Sequence, residues 1–353
     1  MKSRIVESPH ALHGLLSEWQ QLFERDPRGS ARNGPHRLLA FHRIFTPDIH
    51  PRVIVVRDHD GKLRGVLPVG LRRRRVGPVV LRGLVPLIGT HAYHFDAVID
   101  PDHSLAVGAA IAEGLNRIAR DGLALRHVRP GAWLLDAEAG VLRALPALIR
   151  HEGLPSPRVR LGSGETIRGR DAKEMHRLER HLFATGDIRM GWEPAESALV
   201  QTIDELMTLH TRLKRWQKQR MVFLEGSANR DFPPWLASEI GAGRARLFTI
   251  RRDGRLLAGC ILFCNRDEAH SYRVAWDPDE ARLGLGILIT TRTLEACEAS
   301  GLSVFDLGPG TEPYKAKWHP EVDQLTDLRE SRDGLRSRIA ERWLRLRGHT
   351  TQE

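Results

Sequence analysis

A degenerate internal repeat limits the folds open to this chain. Residues 53–71 and 247–263 each read as an apolar strand, an Asp-Gly turn (Asp60-Gly61, Asp253-Gly254) and a second apolar strand. Asp-Gly between apolar runs predicts a hairpin, because glycine supplies the positive φ that tight turns need. The echo continues downstream. Residues 121–131 resemble 300–310: each reads as Gly-Leu, a short buried strand, then Pro-Gly, and helical stretches at 104–120 and 284–299 precede them. Two matched blocks in the same order predict two copies of one α/β unit of about 150 residues.

The expected organisation is a first unit at 1–155, a linker or crossing segment at 156–170, a second unit at 171–330 and a basic helical tail at 331–353. Pro155, Pro157, Gly162 and Gly164 mark the crossing segment. A polar helix over 171–185 opens the second unit. Leu199, Ile203, Leu206, Met207, His210 and Leu213 predict a longer helix over 196–220. The tail has a thin apolar stripe, Ile339, Trp343 and Leu346, which suits packing back on a domain ahead of the alternative, membrane or RNA contact.

Composition narrows the function. The 54 Lys and Arg exceed the 44 Asp and Glu, leaving a formal charge of +10, which favours phosphate-bearing partners: nucleotide cofactors, tRNA or an anionic membrane surface. Arg72-Arg73-Arg74-Arg75 forms one cluster; Arg212, Lys214, Arg215, Lys218 and Arg220, interleaved with Trp216, form another. No run of about eighteen apolar residues predicts a membrane span, and the polar N-terminus predicts no secretory signal, so a cytoplasmic location is expected. Cys260, Cys264 and Cys297 have the spacing of neither a disulfide framework nor a zinc site. No metal is expected. P-loop, Ser-His-Asp and paired-carboxylate patterns are missing from the sequence.

Residues 305–318 are the densest in chemistry. A strand carries Asp306 out of the sheet; the turn Gly308-Pro309-Gly310 follows, and Glu312, Tyr314, Lys315, Lys317 and Trp318 crowd behind it. Strand ends feeding glycine-rich loops are where α/β folds place reacting groups. Upstream, Gly284-Leu285-Gly286 opens a helix after a strand expected at 269–276, an arrangement that lets backbone N–H groups approach a phosphate.

This pattern, Asp306-x-Gly308-x-Gly310-x-Glu312-x-Tyr314-Lys315-x-x-Trp318 together with the glycine-opened helix, resembles the GCN5-related N-acetyltransferase (GNAT) superfamily. It resembles most the duplicated BioF2/CelD-like branch, related to the FemAB-type aminoacyl transferases. The resemblance implies tandem GNAT-like units, each a mixed twisted sheet flanked by helices. It also implies acyl transfer to an amine of a small-molecule, sugar or lipid-precursor acceptor. The donor implied is acyl-coenzyme A, acetyl-coenzyme A first, or an aminoacyl-tRNA in the Fem branch. Its carrier would meet Val274, Ala275, Arg282, Gly284, Leu285 and Gly286. The chain departs from the usual Gln/Arg-x-x-Gly-x-Gly/Ala loop at one place, where Ala281 stands in the first position.

Acyl transfer to an amine needs a base for the amine and donors for the oxyanion. Glu312 or Asp306 is the candidate to orient or deprotonate the amine. Lys315 is the candidate to stabilise the developing anion or hold a phosphate, and Tyr314 to serve as the acid for the leaving thiolate. Tyr272, Lys214, Trp216 and Trp318 are expected around the acceptor, as are His91 and His94 from the first unit. The first copy ends in Pro130-Gly131 with no Tyr-Lys, so it is expected to supply walls and no chemistry. A third reading, an inactive GNAT-like module that binds RNA or protein, remains beside these two.

Overall fold

The computed structural model describes residues 1–162, 170–219, 228–332 and 334–346. The chain divides into two compact units, residues 1–154 with 324–353 and residues 155–323. In chain order the first contains β1 (Lys2–Val6), α1 (Pro9–Gly14), α2 (Leu16–Arg25), α3 (Pro35–Phe45), β2 (Ile49–Pro51), β3 (Val53–Arg57), β4 (Leu63–Leu67), β5 (Val69–Val76), β6 (Val79–Pro86), β7 (Val98–Ile99), α4 (Ser104–Arg117) and β8 (Gly122–Val128). Strand β9 (Ile149–Arg160) leads into the second unit: α5 (Arg170–Phe183), β10 (Ile188–Trp192), α6 (Leu199–Trp216), α7 (Ala228–Gly241), β11 (Ala245–Arg252), β12 (Arg255–Asn265), β13 (Glu268–Trp276), α8 (Leu285–Ala299) and β14 (Val304–Asp306). Strand β15 (Glu321–Ser331) leads back, and α9 (Leu335–Leu346) follows.

Both predicted hairpins form, β3–β4 and β11–β12. Both downstream blocks do the same topological job. In the first unit α4 precedes β8, which pairs parallel with β6; in the second α8 precedes β14, which pairs parallel with β13. A parallel partner requires such a crossover, which explains why a helix precedes each repeat strand.

In the second unit, β10, β11, β12 and β13 form an antiparallel meander, β14 adds in parallel, and β9 pairs antiparallel with β14. The pleat sorts β12 by parity. Ala258, Cys260 and Leu262 join the core that contains Leu288 and Ile289 of α8. Gly259 faces Leu206 of α6, and the ring of Phe263 lies 6.0 Å from that of Trp235 of α7.

Two expectations gain detail and one helix boundary moves. The proline-bearing stretch after 155 is strand β9 up to Arg160, and 163–169 lie outside the described residues. Proline lacks the N–H but keeps the carbonyl, and here the Leu307 and Gly310 N–H groups donate to the Pro157 and Pro155 carbonyls. The tail packs back on a domain, as its apolar stripe suggested: α9 packs on β5 and β6 within the first unit, and the last part of β15 pairs with β8. The long helix begins at Leu199, not 196, and its expected end at Arg220 lies outside the described residues. Among the described residues, no helix is long and apolar enough to cross a membrane.

In the first unit α4 packs on β1, β3 and β4. A Cβ at Gly114 would lie 2.7 Å from the Ile54 side chain, and one at Gly108 would fall inside the carbonyl of Ala139. Helix propensity favours alanine over a mid-helix glycine by up to about 1 kcal/mol. The clash reverses that sign. Gly108→Ala is expected to lower the unfolding free energy by about 2 kcal/mol in urea titration, against the gain that propensity alone predicts.

Candidate active site

Strands β13 and β14 stay together for only three residue pairs, Glu268↔Val304, Ala269↔Phe305 and His270↔Asp306. Beyond His270, β13 runs six residues further without β14. The ladder with β12 jumps from Ile261↔Arg273 to Leu262↔Ser271, so Tyr272 is the extra residue of a bulge. Its ring lies 5.1 Å from Phe263 and 6.1 Å from Phe232, and the Arg273 guanidinium lies 4.6 Å from its centroid. Tyr272 is thus buried in an aromatic cluster and lines no part of the cavity at the start of α8.

Helix α8 starts beside the freed end of β13. Gly284 adopts φ +66°, and a Cβ there would meet the Leu178 side chain at 2.9 Å; both demand glycine. At Gly286 a Cβ would meet the Trp276 indole nitrogen at 3.0 Å. No side chain caps the helix start. The Leu285 and Gly286 N–H groups precede the first helical bonds, which Ile287 and Leu288 give to the Gly284 carbonyl, and the dipole makes this end attractive to anions.

The third component is the loop after β14. The Asp306 carboxylate is 3 % exposed. One oxygen accepts the Gly308 N–H at 2.6 Å, and the other lies 3.3 Å from Nδ1 of His270, whose Nε2 faces Glu268 at 3.3 Å. Asp306 therefore fastens the turn from within. Lys315, 4 % exposed, donates to the carbonyls of Gly308 at 2.9 Å, Pro309 at 3.1 Å and Gly310 at 3.4 Å, and pairs with Glu312 at 2.8 Å. Gly310 has φ +111°, and a Cβ there would come within 2.7 Å of the Glu312 carboxylate, so glycine lets that carboxylate fold over the loop. Trp318 is a core residue: its indole N–H donates to Thr291 of α8 at 3.1 Å, and Tyr314 meets it edge-on at 6.0 Å. Lys317 pairs with Glu174 of α5 at 2.8 Å. The 313–318 turn is thereby anchored on both α8 and α5.

These parts surround a cavity of about 480 Å³. From the expected set it is lined by Val274, Gly284, Leu285, Gly286, Lys214, Glu312 and Tyr314. Ala281, at the departing loop position, also lines it. Desolvation, then the Glu312 carboxylate, push the Tyr314 phenol up to about 12. Burial, then Arg273, push the Lys214 ammonium down, with Glu312 opposing. Burial, then Arg273 and Lys214, hold His210 down at about 3, so this buried imidazole of α6 is neutral at physiological pH.

Other expected residues stand elsewhere. Asp306 and Lys315 brace the loop from behind, Ala275 is fully buried, and Arg282 is exposed outside the lining. Trp216 is exposed and meets Trp276 edge-on at 5.5 Å without lining the cavity. His91 is a core residue of the first unit, stacked on Phe45 at 4.9 Å with its carbonyl accepting from Arg37. His94 is buried with φ +56°, and its carbonyl accepts from Asn33. Aromatic packing, which sequence spacing does not show, accounts for His91, Tyr272 and Trp318. Sequence reading missed Trp276, Thr290, Gln217 and Gln219 in the wall and His270 behind Asp306. Thr290 was accessible as the residue one turn after Gly286 on the same helix face.

Residues 169–316 match the family model described as an acetyltransferase (GNAT) domain. No curated protein matches the chain in sequence. Among solved structures it is similar to FemX, with a TM-score of 0.64 and 12% identity over 97% of this chain and 99% of that one. It is similar to the C-terminal domain (DUF2156) of a putative lysylphosphatidylglycerol synthetase from Agrobacterium fabrum, with a TM-score of 0.58 and 15% identity over 96% and 97%. It is also similar to a tandem GNAT protein from the clavulanic acid biosynthesis pathway, with a TM-score of 0.51 and 15% identity over 94% and 98%. The match to the acetyltransferase (GNAT) domain thus falls on the second unit, and the fold of the chain is shared with FemX and a tandem GNAT protein.

Proposed function

We propose that the second unit transfers an acyl group from acyl-coenzyme A to an amine. One observation carries this reading: the uncapped start of α8, the freed end of β13, Glu312 and Tyr314 all meet at one cavity. The N–H groups at the start of α8 take the carrier's phosphates, and Gly284 and Gly286 keep side chains out of the way. The freed edge of β13 offers backbone groups to the acyl arm and its carbonyl. The amine attacks the thioester carbon, its proton passes to Glu312, and the C–S bond breaks as the carbonyl re-forms. A phenol held at about 12 stays protonated, so Tyr314 serves the departing sulfur as a hydrogen-bond donor. In this reading a hydrogen-bond donor stands where the sequence suggested a proton-transferring acid.

Lys315 acts differently from the sequence expectation. Its ammonium is occupied by three carbonyls and Glu312, so it fixes the loop and aims the carboxylate. The first unit takes no part in the chemical step in this reading.

A second reading keeps the site and changes the donor to an aminoacyl-tRNA. Two observations favour it: Ala281 leaves the phosphate loop without the expected polar side chain, and the fold is shared with FemX and a lysylphosphatidylglycerol synthetase domain.

Acetyl-coenzyme A at about one hundred times its Kd is expected to stabilise the protein by about 2.7 kcal/mol in thermal melts. Gly286→Val is expected to abolish that shift by driving a branched side chain against Trp276. A shift with aminoacyl-tRNA, and none with any acyl-coenzyme A, would select the second reading.

Glu312→Gln is expected to lower kcat by about 10²- to 10⁴-fold with little change in the donor's KM. Lys315→Met is expected to lower kcat and also to cost about 1–3 kcal/mol of stability, because it orphans buried carbonyls. An unchanged melting temperature would return Lys315 to a purely chemical role.

A further inference from the structure

Hairpin β5–β6 of the first unit extends past its sheet. Strand β2 pairs with β5 only over Gly70, Leu71 and Arg72, and β8 pairs with β6 only at Gly83 and Leu84. Beyond those limits, Arg73, Arg74, Arg75 and Val76 pair only with Arg82, Leu81, Val80 and Val79 among the described residues. The result is a two-stranded ribbon that turns at Gly77-Pro78.

Residues 69–86 contain five arginines and no carboxylate, so the ribbon cannot neutralise itself. Arg72 is engaged by Asp48 at 3.0 Å, and Arg82 by Asp121 at 3.4 Å. Arg73, Arg74 and Arg75 are exposed, and none forms an ion pair with a described residue; Arg75 only reaches the Gly77 carbonyl at 3.3 Å. Helix α9, packed on β5 and β6, adds the exposed Arg336 and Arg342.

The tip of the ribbon has a different character. Residues 76–81 carry no charged or polar side chain; Pro78 is exposed and Val80 is 44% exposed. Leu335, at the start of α9, is 69% exposed.

We propose that this ribbon, with α9, docks on an anionic phospholipid surface. Arginines alone would suit any polyanion. The uncharged tip ahead of an arginine collar decides between them. A bilayer interface accepts apolar side chains beneath its phosphates, whereas a nucleic-acid backbone has no partner for them. Each arginine near an anionic bilayer is worth about a fivefold gain in partitioning, so Arg73, Arg74 and Arg75 together contribute about a hundredfold.

The test is flotation of the full chain with vesicles of phosphatidylcholine alone or with phosphatidylglycerol added. Binding is expected only to the anionic vesicles, with about a hundredfold loss in the triple variant Arg73→Gln/Arg74→Gln/Arg75→Gln and a smaller loss in Val80→Asp. All four positions are solvent-facing, so melting temperatures and the response to acyl donors are expected to stay unchanged. Equal binding to neutral vesicles, or undiminished binding by the triple variant, would overturn the proposal. So would an RNA duplex retained through these arginines without any vesicle binding.

Discussion

The early parting of β13 from β14 is the constraint on which the site depends. Two parallel strands that stayed paired would bury the edge of β13 and leave no room between their ends. Here the ladder stops at His270↔Asp306, and the bulge at Tyr272 re-aims the rest of β13. From Ser271 onward that edge of β13 no longer pairs with β14, and Val274 on it lines the cavity. The Trp276 indole, further along the same strand, props the first turn of α8 across a contact that only glycine at 286 permits. One interruption of pairing thus creates both the slot and its wall at the start of α8.

The loop after β14 meets the opposite problem. A Gly-Pro-Gly turn carries carbonyls that no strand claims, and Lys315 gathers three of them on one buried ammonium. A buried charge is tolerable only when its hydrogen bonds are filled and a counter-charge is near, and Glu312 supplies the counter-charge from the cavity side. The first unit resolves the equivalent loop with the opposite sign. There the Trp133 and Leu134 N–H groups donate to the buried Asp96, and the Trp133 indole donates to Asp26. Burial still outweighs those donors and pushes Asp96 up to about 7. A loop closed on a carboxylate inside its own core turns no charge outward. A loop closed on a lysine can present that lysine's partner carboxylate to a ligand.

Period and turn chemistry were legible in the sequence. Asp60-Gly61 and Asp253-Gly254 announced both hairpins, and the matched blocks announced both crossovers. The glycines at 284 and 286 and the run from Asp306 to Trp318 marked the region that surrounds the cavity. What escaped depended on partners distant in sequence. The prolines of β9 left a linker and a crossing strand open, because their pairing runs through carbonyls, which composition does not show. Pro233 and Pro234 hid α7. Trp318 and Tyr272 have binding-site residue types but are held by Thr291 and by Phe263 and Phe232, contacts that no local pattern encodes.

Lys315 shows how much a residue's surroundings add to its type. A lysine behind a glycine-rich turn invites a catalytic reading, because a free ammonium would stabilise an oxyanion. The surrounding contacts support the structural role proposed above. With three carbonyls and Glu312 around it, the ammonium has little capacity left for substrate, and moving it outward would strand the carbonyls it serves. The carboxylate faces the opposite balance. Glu312 is half exposed and lines the cavity, and its Lys315 partner restricts where it can point without covering it. In the proposed reading, fixing that carboxylate through a group that cannot itself leave is a form of preorganisation. The motif therefore works as a unit, with its positive member spent on structure and its negative member turned toward the cavity.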